Sequence, residues 1–163
     1  MSEEQRAIFG EVLIQADIKS VWDTWTTEAG VKSFFAPECM IELKPGGAYE
    51  MYFALEHPPG LRGGEGCTVM AIQPMKMFAF TWNAPPSLPT VRNHFTHVVV
   101  RFDEGPEGTR VSLVHDGWGT GAEWDKAYIY FQAAWKNIVL PRLKYCFIHG
   151  PIDWQNPPDL SDE

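Results

Sequence analysis

The sequence lacks the features that mark several large classes of protein. It has three cysteines, Cys39, Cys67 and Cys146, which are too few and too widely spaced for a disulfide framework or a zinc site. Lys and Arg number 13 against 21 Asp and Glu, and the net charge of −8 opposes binding to nucleic acid. No stretch approaches the roughly 18 apolar residues of a membrane span, and MSEEQRAIF has no signal-peptide run. These absences predict a reduced, cytoplasmic protein that binds neither nucleic acid nor membranes.

Signatures of metal, nucleotide and hydrolase chemistry are also missing or incomplete. None of the five histidines lies in an H-E-x-x-H motif, so the sequence predicts no metal site. His115 and Asp116 resemble half of a catalytic triad, but neighbours on a strand point to opposite faces and cannot pair. Gly117, Gly119 and Ala122 match G-x-G-x-x-A, yet no parallel strand with an acid follows them. We therefore expect no cofactor, and a glycine hinge between a strand and a helix.

Aromatic side chains are what the chain has in excess. Seven Trp, ten Phe and five Tyr make up 13% of the residues. This is more ring surface than a small core needs, and large rings also line apolar cavities. The 163 residues suit one domain with one core. Together these features predict a single domain that contains a binding pocket.

The hydrophobic pattern predicts the element order β-α-α-β-β-β-β-β-β-α. A strand at 7–16 precedes two short helices, 18–26 and 28–35, which Asp17 and Thr27 can cap. From Glu123 to about Tyr145 an apolar stripe has helical spacing, and Pro141 should kink or divide that helix. No βαβ pattern follows the first strand, so we expect an antiparallel sheet covered by the long helix. The six later strands are expected at 40–43, 48–53, 67–73, 76–82, 95–103 and 109–116.

Five stretches, taken in order, resemble the START/Bet v 1-like (SRPBCC) superfamily. They are VWDTWTTEAGVKSFFAP (21–37), LKPGGAYEMYF (43–53), PMKMFAFTW (74–82), GTRVSLVHDGW (108–118) and AAWKNIVLPRL (133–143). The likeness is to the branch related to the C-terminal domain of the Hsp90 ATPase activator Aha1. It implies an α+β, helix-grip fold: a curved antiparallel sheet of about seven strands wraps a long C-terminal helix, and two short helices follow the first strand.

The predicted domain organisation is one helix-grip domain over residues 1–149 and a proline-rich, acidic tail over 150–163. The tail has neither helical nor strand periodicity, so we expect it to be extended or mobile. Ile152 and Trp154 within it could dock on a partner. A homodimer is a further expectation, since dimers are common among the relatives that the resemblance implies.

The predicted site is a cavity between the sheet and the long helix, because members of the superfamily usually hold a hydrophobic small molecule there. On the last strand the odd-numbered residues are the more apolar, so His115 should face the cavity and Asp116 the solvent. Tyr49, Trp82, His115 and Tyr128 would add polar groups to an apolar site. The candidate cavity residues are Phe34, Met40, Tyr49, Met51, Met70, Phe80, Trp82, Val98, His115, Trp118, Tyr128, Phe131 and Trp135.

Three functions fit these predictions. The favoured one is binding of a hydrophobic or aromatic small molecule without catalysis. The second is a polyketide cyclase/aromatase- or hydrolase-like enzyme, with His115, Tyr49 or Tyr128 as the acid or base. The third, an Hsp90-activator-like interaction module, comes from the resemblance alone; the fold is expected to begin near residue 7, without the prototype's second domain. The superfamily has no shared catalytic motif, so the resemblance predicts a pocket and not a reaction.

Overall fold

The computed structural model describes residues 6–160, which follow the predicted element order. The strands are β1 Ile8–Ile14, β2 Glu38–Ile41, β3 Tyr49–Tyr52, β4 Val69–Gln73, β5 Met77–Trp82, β6 Thr96–Gly105 and β7 Gly108–Asp116. The helices are α1 Ile18–Thr26, α2 Glu28–Phe34, α3 Ala122–Ala133 and α4 Leu140–His149, with a π-helical segment Ala134–Val139 joining α3 to α4 and a 3-10 turn Val91–Asn93 before β6. The α+β fold class is confirmed.

The strands form a curved antiparallel sheet of five, in the order β1-β7-β6-β5-β4, and a small second sheet of β2 and β3. The expected seven strands are therefore divided between two sheets. The bridge between Ala48 and Thr68, next to a hydrogen bond from the Tyr49 N–H to the Cys67 carbonyl at 2.9 Å, connects the small sheet to the large one. Beyond Cys67 the β3–β4 loop folds back on β3, where Gly63 forms a bridge with Tyr52 and the Gly64 N–H donates to the Met51 carbonyl at 2.7 Å.

The two short helices begin at the predicted caps. The Asp17 side chain accepts a hydrogen bond from the Ser20 N–H, and the Thr27 side chain accepts one from the Gly30 N–H. Trp22 in α1 is buried against the sheet, where its ring centroid lies 5.1 Å from that of Phe102. The two caps thus determine where α1 and α2 begin, and the Trp22 ring packs α1 against the sheet.

The C-terminal helix runs without a break from Ala122 to His149, a length of 28 residues. Pro141 neither ends it nor divides it into separate helices. Proline has no N–H to donate, and its ring crowds the carbonyl of the preceding turn. The helix accommodates this by adopting π-helical geometry over Ala134–Val139, so that Pro141 stands in the first turn of α4.

The predicted glycine hinge between β7 and α3 is confirmed. Gly117 and Gly121 have φ values of 91° and 120°, in the region that residues with a Cβ rarely adopt. A Cβ on Gly117 would also lie 2.9 Å from Nδ1 of His97. These two glycines let the chain leave the sheet and turn directly into the long helix.

The tail beyond the helix packs on the chain's own α2. The Ile152 N–H donates to the Ser33 carbonyl at 2.9 Å, and the Ile152 side chain is buried. Trp154 Nε1 donates to the Lys32 carbonyl at 2.7 Å. These two residues, which the sequence analysis treats as able to dock on a partner, pack instead on α2 of the same chain. Residues 161–163 of the predicted tail lie outside the described residues.

Candidate functional site

A pocket of about 470 Å³ lies between the C-terminal helix and one end of the sheet. The loop that follows β3 and the loop that follows β5 form two of its walls, and the helix forms the third. It is open to solvent on one side. The lining residues are Phe35, Phe53, Ala54, His57, Leu61, Arg62, Gly63, Trp82, Asn83, Ala84, Pro85, Pro86, Ser87, Tyr130, Phe131, Ala134, Trp135, Ile138, Val139 and Arg142.

The π-helical segment supplies the central part of the helical wall. Ala134, Trp135, Ile138 and Val139 all line the pocket. A π turn changes the direction of successive side chains relative to a regular α-helix, and such turns are frequent at functional sites. The geometry that accommodates Pro141 therefore also shapes the pocket.

The base of the pocket, which we call the pocket floor, consists of the rings of Phe35, Trp82 and Trp135. Their centroids lie 5.5 to 6.0 Å apart, within the range of favourable ring contacts. All three side chains are almost fully buried. The rim is different, because Phe53, Leu61, Tyr130 and Ile138 each keep between 44% and 49% of their surface exposed. A buried aromatic base thus stands beneath a half-exposed apolar rim.

An ion pair between Glu65 and Arg92 holds the two loop walls together, and we call this pair the clasp. The Arg92 guanidinium lies 3.3 Å from the Glu65 carboxylate and donates to the carbonyls of Ala84 and Gly60, one on each loop. Glu65 also accepts from the N–H groups of Gly60, Arg62 and Gly63. Burial acts to raise the pKa of Glu65, but these N–H groups outweigh it, so the pKa is lowered.

Two arginines line the pocket without forming an ion pair with any described carboxylate. Arg142, on α4, lies with its guanidinium carbon 5.4 Å from the centre of the Trp154 ring. Arg62, on the β3–β4 loop, donates from Nε to the His57 carbonyl at 2.8 Å. None of the described lining residues is Asp or Glu. The polar side of the pocket is therefore cationic, although the chain as a whole is acidic.

The predicted cavity residues are distributed over three places. Trp82, Phe131 and Trp135 line the pocket. Met40 and Met70 lie at the surface, exposed by 53% and 44%. The rest are in the core or at the N-terminal end of the long helix: Phe34, Tyr49, Met51, Phe80 and Val98 are fully buried, His115 and Trp118 lie beside α3, and Tyr128 is part of α3.

The two methionines face outward for reasons of strand register. Met40 pairs with Glu50, whereas its neighbour Cys39 pairs with the buried Met51. The inward face of β2 is therefore the one that carries Cys39. Met70 sits at a bulge between Val69 and Ala71, where the pairing with β5 shifts.

Tyr49 is fully buried, and its hydroxyl donates to the Trp25 carbonyl at 2.7 Å. Burial raises the pKa of this hydroxyl well above its usual value. Since the hydroxyl already has a backbone partner and does not line the pocket, the geometry gives Tyr49 a place in the core.

His115 is at the centre of a second aromatic group, the His115 cluster, which consists of His115, Thr96, Trp118, Phe131 and Trp135. Trp135 Nε1 donates to His115 Nδ1 at 3.0 Å, so Nδ1 must be unprotonated and the proton resides on Nε2. Nε2 lies 2.6 Å from the Thr96 hydroxyl, which donates onward to the Trp82 carbonyl at 3.1 Å. Every polar atom of this chain of hydrogen bonds has a partner, with the imidazole neutral.

The surroundings of His115 keep it neutral. Its side chain is fully buried, and burial, with a smaller effect from His97, lowers its pKa to about 3. Asp116 points the other way, with half of its side chain exposed and its carboxylate 3.8 Å from His97. The expectation that His115 and Asp116 lie on opposite faces is thus confirmed, and these two residues do not form a dyad.

Other reactive groups lie away from the pocket. Burial is the main cause that raises the thiol pKa of Cys39 to about 11 and that of Cys67 to about 12, so both thiols are protonated at neutral pH. Tyr52 donates to Glu50 at 2.5 Å on the outer side of β3. Among residues 6–160, no group of three or more His, Cys, Asp or Glu is arranged to hold a metal ion. No helix in that range is long and apolar enough to cross a membrane.

None of the four rim residues and neither arginine is among the predicted cavity residues. Phe53 and Leu61 belong to a loop rich in proline and glycine, where apolar side chains are unusual, and this was an available signal. Tyr130 lies beside the apolar stripe of the helix, whereas Ile138, like Val139, is a possible member of that stripe. Arg142 interrupts that stripe one residue after Pro141, without an acidic residue in the same turn.

The fold agrees with the comparison against protein families. The family model "Activator of Hsp90 ATPase homolog 1-like protein" matches residues 15–147, and the chain therefore belongs to this family. A comparison with curated proteins finds no match.

Several solved structures have the same fold. The Aha1 dimer from Colwellia psychrerythraea is 18% identical, with a TM-score of 0.67 over 89% of this chain and 98% of that one. CalU16 from Micromonospora echinospora is 19% identical, with a TM-score of 0.65 over 90% of this chain and 76% of that one. DynU16, from the dynemicin biosynthetic locus, is 17% identical, with a TM-score of 0.66 over 89% of this chain and 48% of that one. At these identities the likeness is one of fold.

Proposed function

We propose that the protein binds an apolar, ring-bearing small molecule in the pocket between the loops and the C-terminal helix, without turning it over. The observation that carries this proposal is the buried aromatic floor of Phe35, Trp82 and Trp135 beneath a half-exposed apolar rim. Exposed apolar surface costs about 25 cal/mol per Å² relative to burial, so a ligand that covers the rim gains affinity. The pocket volume of about 470 Å³ suits a molecule of two to four rings.

Binding is favoured over catalysis because His115, near the pocket, and Asn83, in its lining, already have hydrogen-bond partners within the protein. A general acid or base needs a pKa near the working pH and access to the reacting atom. The imidazole of His115 meets neither condition, because it is neutral, buried and outside the pocket lining. Asn83 lines the pocket, but its side-chain N–H donates to the Glu65 carbonyl at 3.0 Å. The buried lining residues thus offer contacts and orientation, and the histidine of the described lining, His57, is half-exposed with its Nε2 3.7 Å from the carboxylate of Glu56, which does not line the pocket.

The test uses N-phenyl-1-naphthylamine, an uncharged fluorescent probe, and two matched variants. Ala134 lines the pocket, while its neighbour Ala133 is exposed on the same helix. We expect Ala134→Phe to fill the pocket and abolish probe fluorescence, and Ala133→Phe to bind the probe like the wild type. Bound probe should also raise the melting temperature by mass action. Equal binding by the two variants would contradict the proposal.

An enzyme of the cyclase/aromatase or hydrolase type is the second candidate, since DynU16 comes from a biosynthetic locus and has this fold. The pocket of such an enzyme would need a proton donor, and Tyr130 is the described lining residue that carries a hydroxyl on a ring. Burial raises the pKa of this hydroxyl. Turnover of an aromatic substrate that Tyr130→Phe abolishes would favour this candidate over simple binding.

An Hsp90-activating interaction module is the third candidate, and the family description favours it. If this is the function, the purified protein should stimulate an Hsp90 ATPase, and Ala134→Phe should stimulate it equally. Stimulation that is lost when the pocket is filled would instead connect the two functions through the pocket.

A homodimer stays a prediction for this chain. The solved Aha1 of Colwellia psychrerythraea is a dimer with the same fold. Sedimentation equilibrium between micromolar and hundred-micromolar concentrations would measure the mass directly, and a value of 18.5 kDa throughout would contradict a dimer.

A further inference from the structure

Charge is distributed very unevenly between the pocket and the rest of the chain. The sequence has 21 acidic residues and a net charge of −8. The described residues that line the pocket nevertheless include Arg62, Arg142 and His57 and no Asp or Glu. A site that bound only uncharged apolar molecules would have no need of two arginines, because the desolvation of each cation costs free energy.

Of the two pocket arginines, Arg142 is the one for which no hydrogen bond to a described residue is found. It is half-buried on α4, and burial lowers its pKa. Its described partner is the ring of Trp154, which contacts the guanidinium through its face and leaves the N–H donors at the edge available. The eight ion pairs among the described residues do not include Arg142 or Arg62.

Glu65, an acidic residue on the adjacent β3–β4 loop, already has hydrogen-bond and ion-pair partners. Glu65 pairs with Arg92 and accepts from the backbone of its own loop. Its carboxylate oxygens are thus committed to the clasp. Asp153, which precedes Trp154, accepts from the Gln155 N–H. Within residues 6–160, therefore, no carboxylate occupies the guanidinium of Arg142.

We propose that the ligand is an amphipathic acid, with an apolar ring system over the pocket floor and a carboxylate held by the Arg142 guanidinium. This inference rests on the proposed function and names its ligand class. The planar guanidinium presents two parallel N–H donors that match the two oxygens of a carboxylate. Stacking on Trp154 restricts the guanidinium to one plane before the ligand arrives, which reduces the entropy lost on binding.

The test compares two ligands of nearly equal shape, 2-naphthoate and its uncharged amide, 2-naphthamide. At pH 7.5 the acid is fully ionised. We expect the wild-type protein to bind the naphthoate about tenfold more tightly, as charge-assisted hydrogen bonds contribute more than neutral ones. Arg142→Met should reduce naphthoate affinity to that of the amide. Arg101→Met, on an exposed position of β6, should change neither affinity.

The possible results separate the inference from the proposed function. Equal affinity of the wild type for the two ligands would overturn the carboxylate assignment and leave apolar binding intact. Binding of neither ligand at millimolar concentration would overturn both. Because the first comparison uses only the wild-type protein, it decides the question even if Arg142→Met fails to fold. A retained tenfold preference in Arg142→Met with a lost preference in Arg62→Met would assign the contact to Arg62 and overturn the role of Arg142.

Discussion

Two aromatic regions face the C-terminal helix, and they share one residue. The His115 cluster packs against α3, and the pocket floor packs against the π-helical segment. Trp135 belongs to both: its Nε1 donates to His115, and its ring lies 6.0 Å from that of Trp82 in the pocket floor. The His115 cluster is closed and every polar atom in its hydrogen-bond chain has a partner. Beside the pocket floor, Arg62 and Arg142 form no ion pair with a carboxylate of the described residues, and the rim is half-exposed.

This difference shows why residue type alone does not locate a site. His, Trp and Phe occur in both regions, but in the His115 cluster they satisfy one another. A buried polar group without a partner costs free energy, so a region with all its partners present is typical of structure. A region that retains exposed apolar surface and unpaired cations is typical of binding. The predictions below test this division.

The largest effect is expected from breaking the His115 cluster. His115→Ala removes a fully buried ring and leaves the Trp135 N–H without its acceptor. We expect a loss of about 3 kcal/mol in the free energy of unfolding, from the cavity and the unpaired donor together. Urea denaturation measures it, with His97→Ala on the exposed face as the control. Naphthoate affinity should fall far less than in Ala134→Phe; an equal fall would mean that the two regions are one site.

The pH dependence of the free energy of unfolding should reflect the low pKa of His115. The pKa of His115 is lowered from 6.5 to about 3 in the folded protein, so the unfolded chain takes up the proton first. The neutral imidazole therefore contributes fully to the free energy of unfolding above pH 6.5, and this contribution decreases as the pH falls toward 3. Relative to His115→Gln, the wild type should lose up to about 1.4 kcal/mol per pH unit in that window. A stability difference between the two proteins that stays constant from pH 7 to 4 would show that the imidazole is not held neutral.

The sequence was sufficient for the elements because their signals are local. Period-two alternation, the caps at Asp17 and Thr27, and the helical stripe are all properties of neighbouring residues. The family resemblance then supplied the arrangement of the sheet around the helix. The glycine hinge at Gly117 was equally readable, because only a strand-to-helix turn fitted its context.

The pocket was less predictable because it depends on register and on the loops. Trp82 and Trp135 were identified as inward-facing rings, but the same criterion also selected Phe34 and Phe80, which are fully buried in the core. Inward-facing alternation cannot distinguish a ring that fills the core from one that borders a void. The sequence shows Arg142 interrupting the apolar stripe, but that it forms no ion pair with a carboxylate of residues 6–160 depends on the three-dimensional structure.

A smaller effect is expected from opening the clasp between the pocket walls. Glu65→Gln keeps the size of the side chain but removes the charge that Arg92 and three backbone N–H groups contact. The clasp carboxylate is only 19% exposed, so we expect a loss of about 1 kcal/mol in stability. Hydrogen exchange should accelerate at the amides of residues 60–63, and naphthoate affinity should fall. Glu104→Gln, on the exposed β6–β7 hairpin, is the control, and unchanged exchange in Glu65→Gln would show that the walls hold without the clasp.

The smallest effect is expected at Trp154, which orients Arg142 from outside the pocket lining. Trp154→Ala removes both the ring beneath the guanidinium and the donor to the Lys32 carbonyl, so stability should fall by roughly 0.5–1 kcal/mol. Trp154→Phe keeps a ring and loses only the donor, and it should retain the preference for naphthoate over naphthamide. In Trp154→Ala that preference should weaken a few-fold, as isothermal titration would measure, because the guanidinium is still present but less restricted. A loss as complete as in Arg142→Met would mean that Trp154 contacts the ligand directly, and the binding site would then extend beyond the pocket onto the tail.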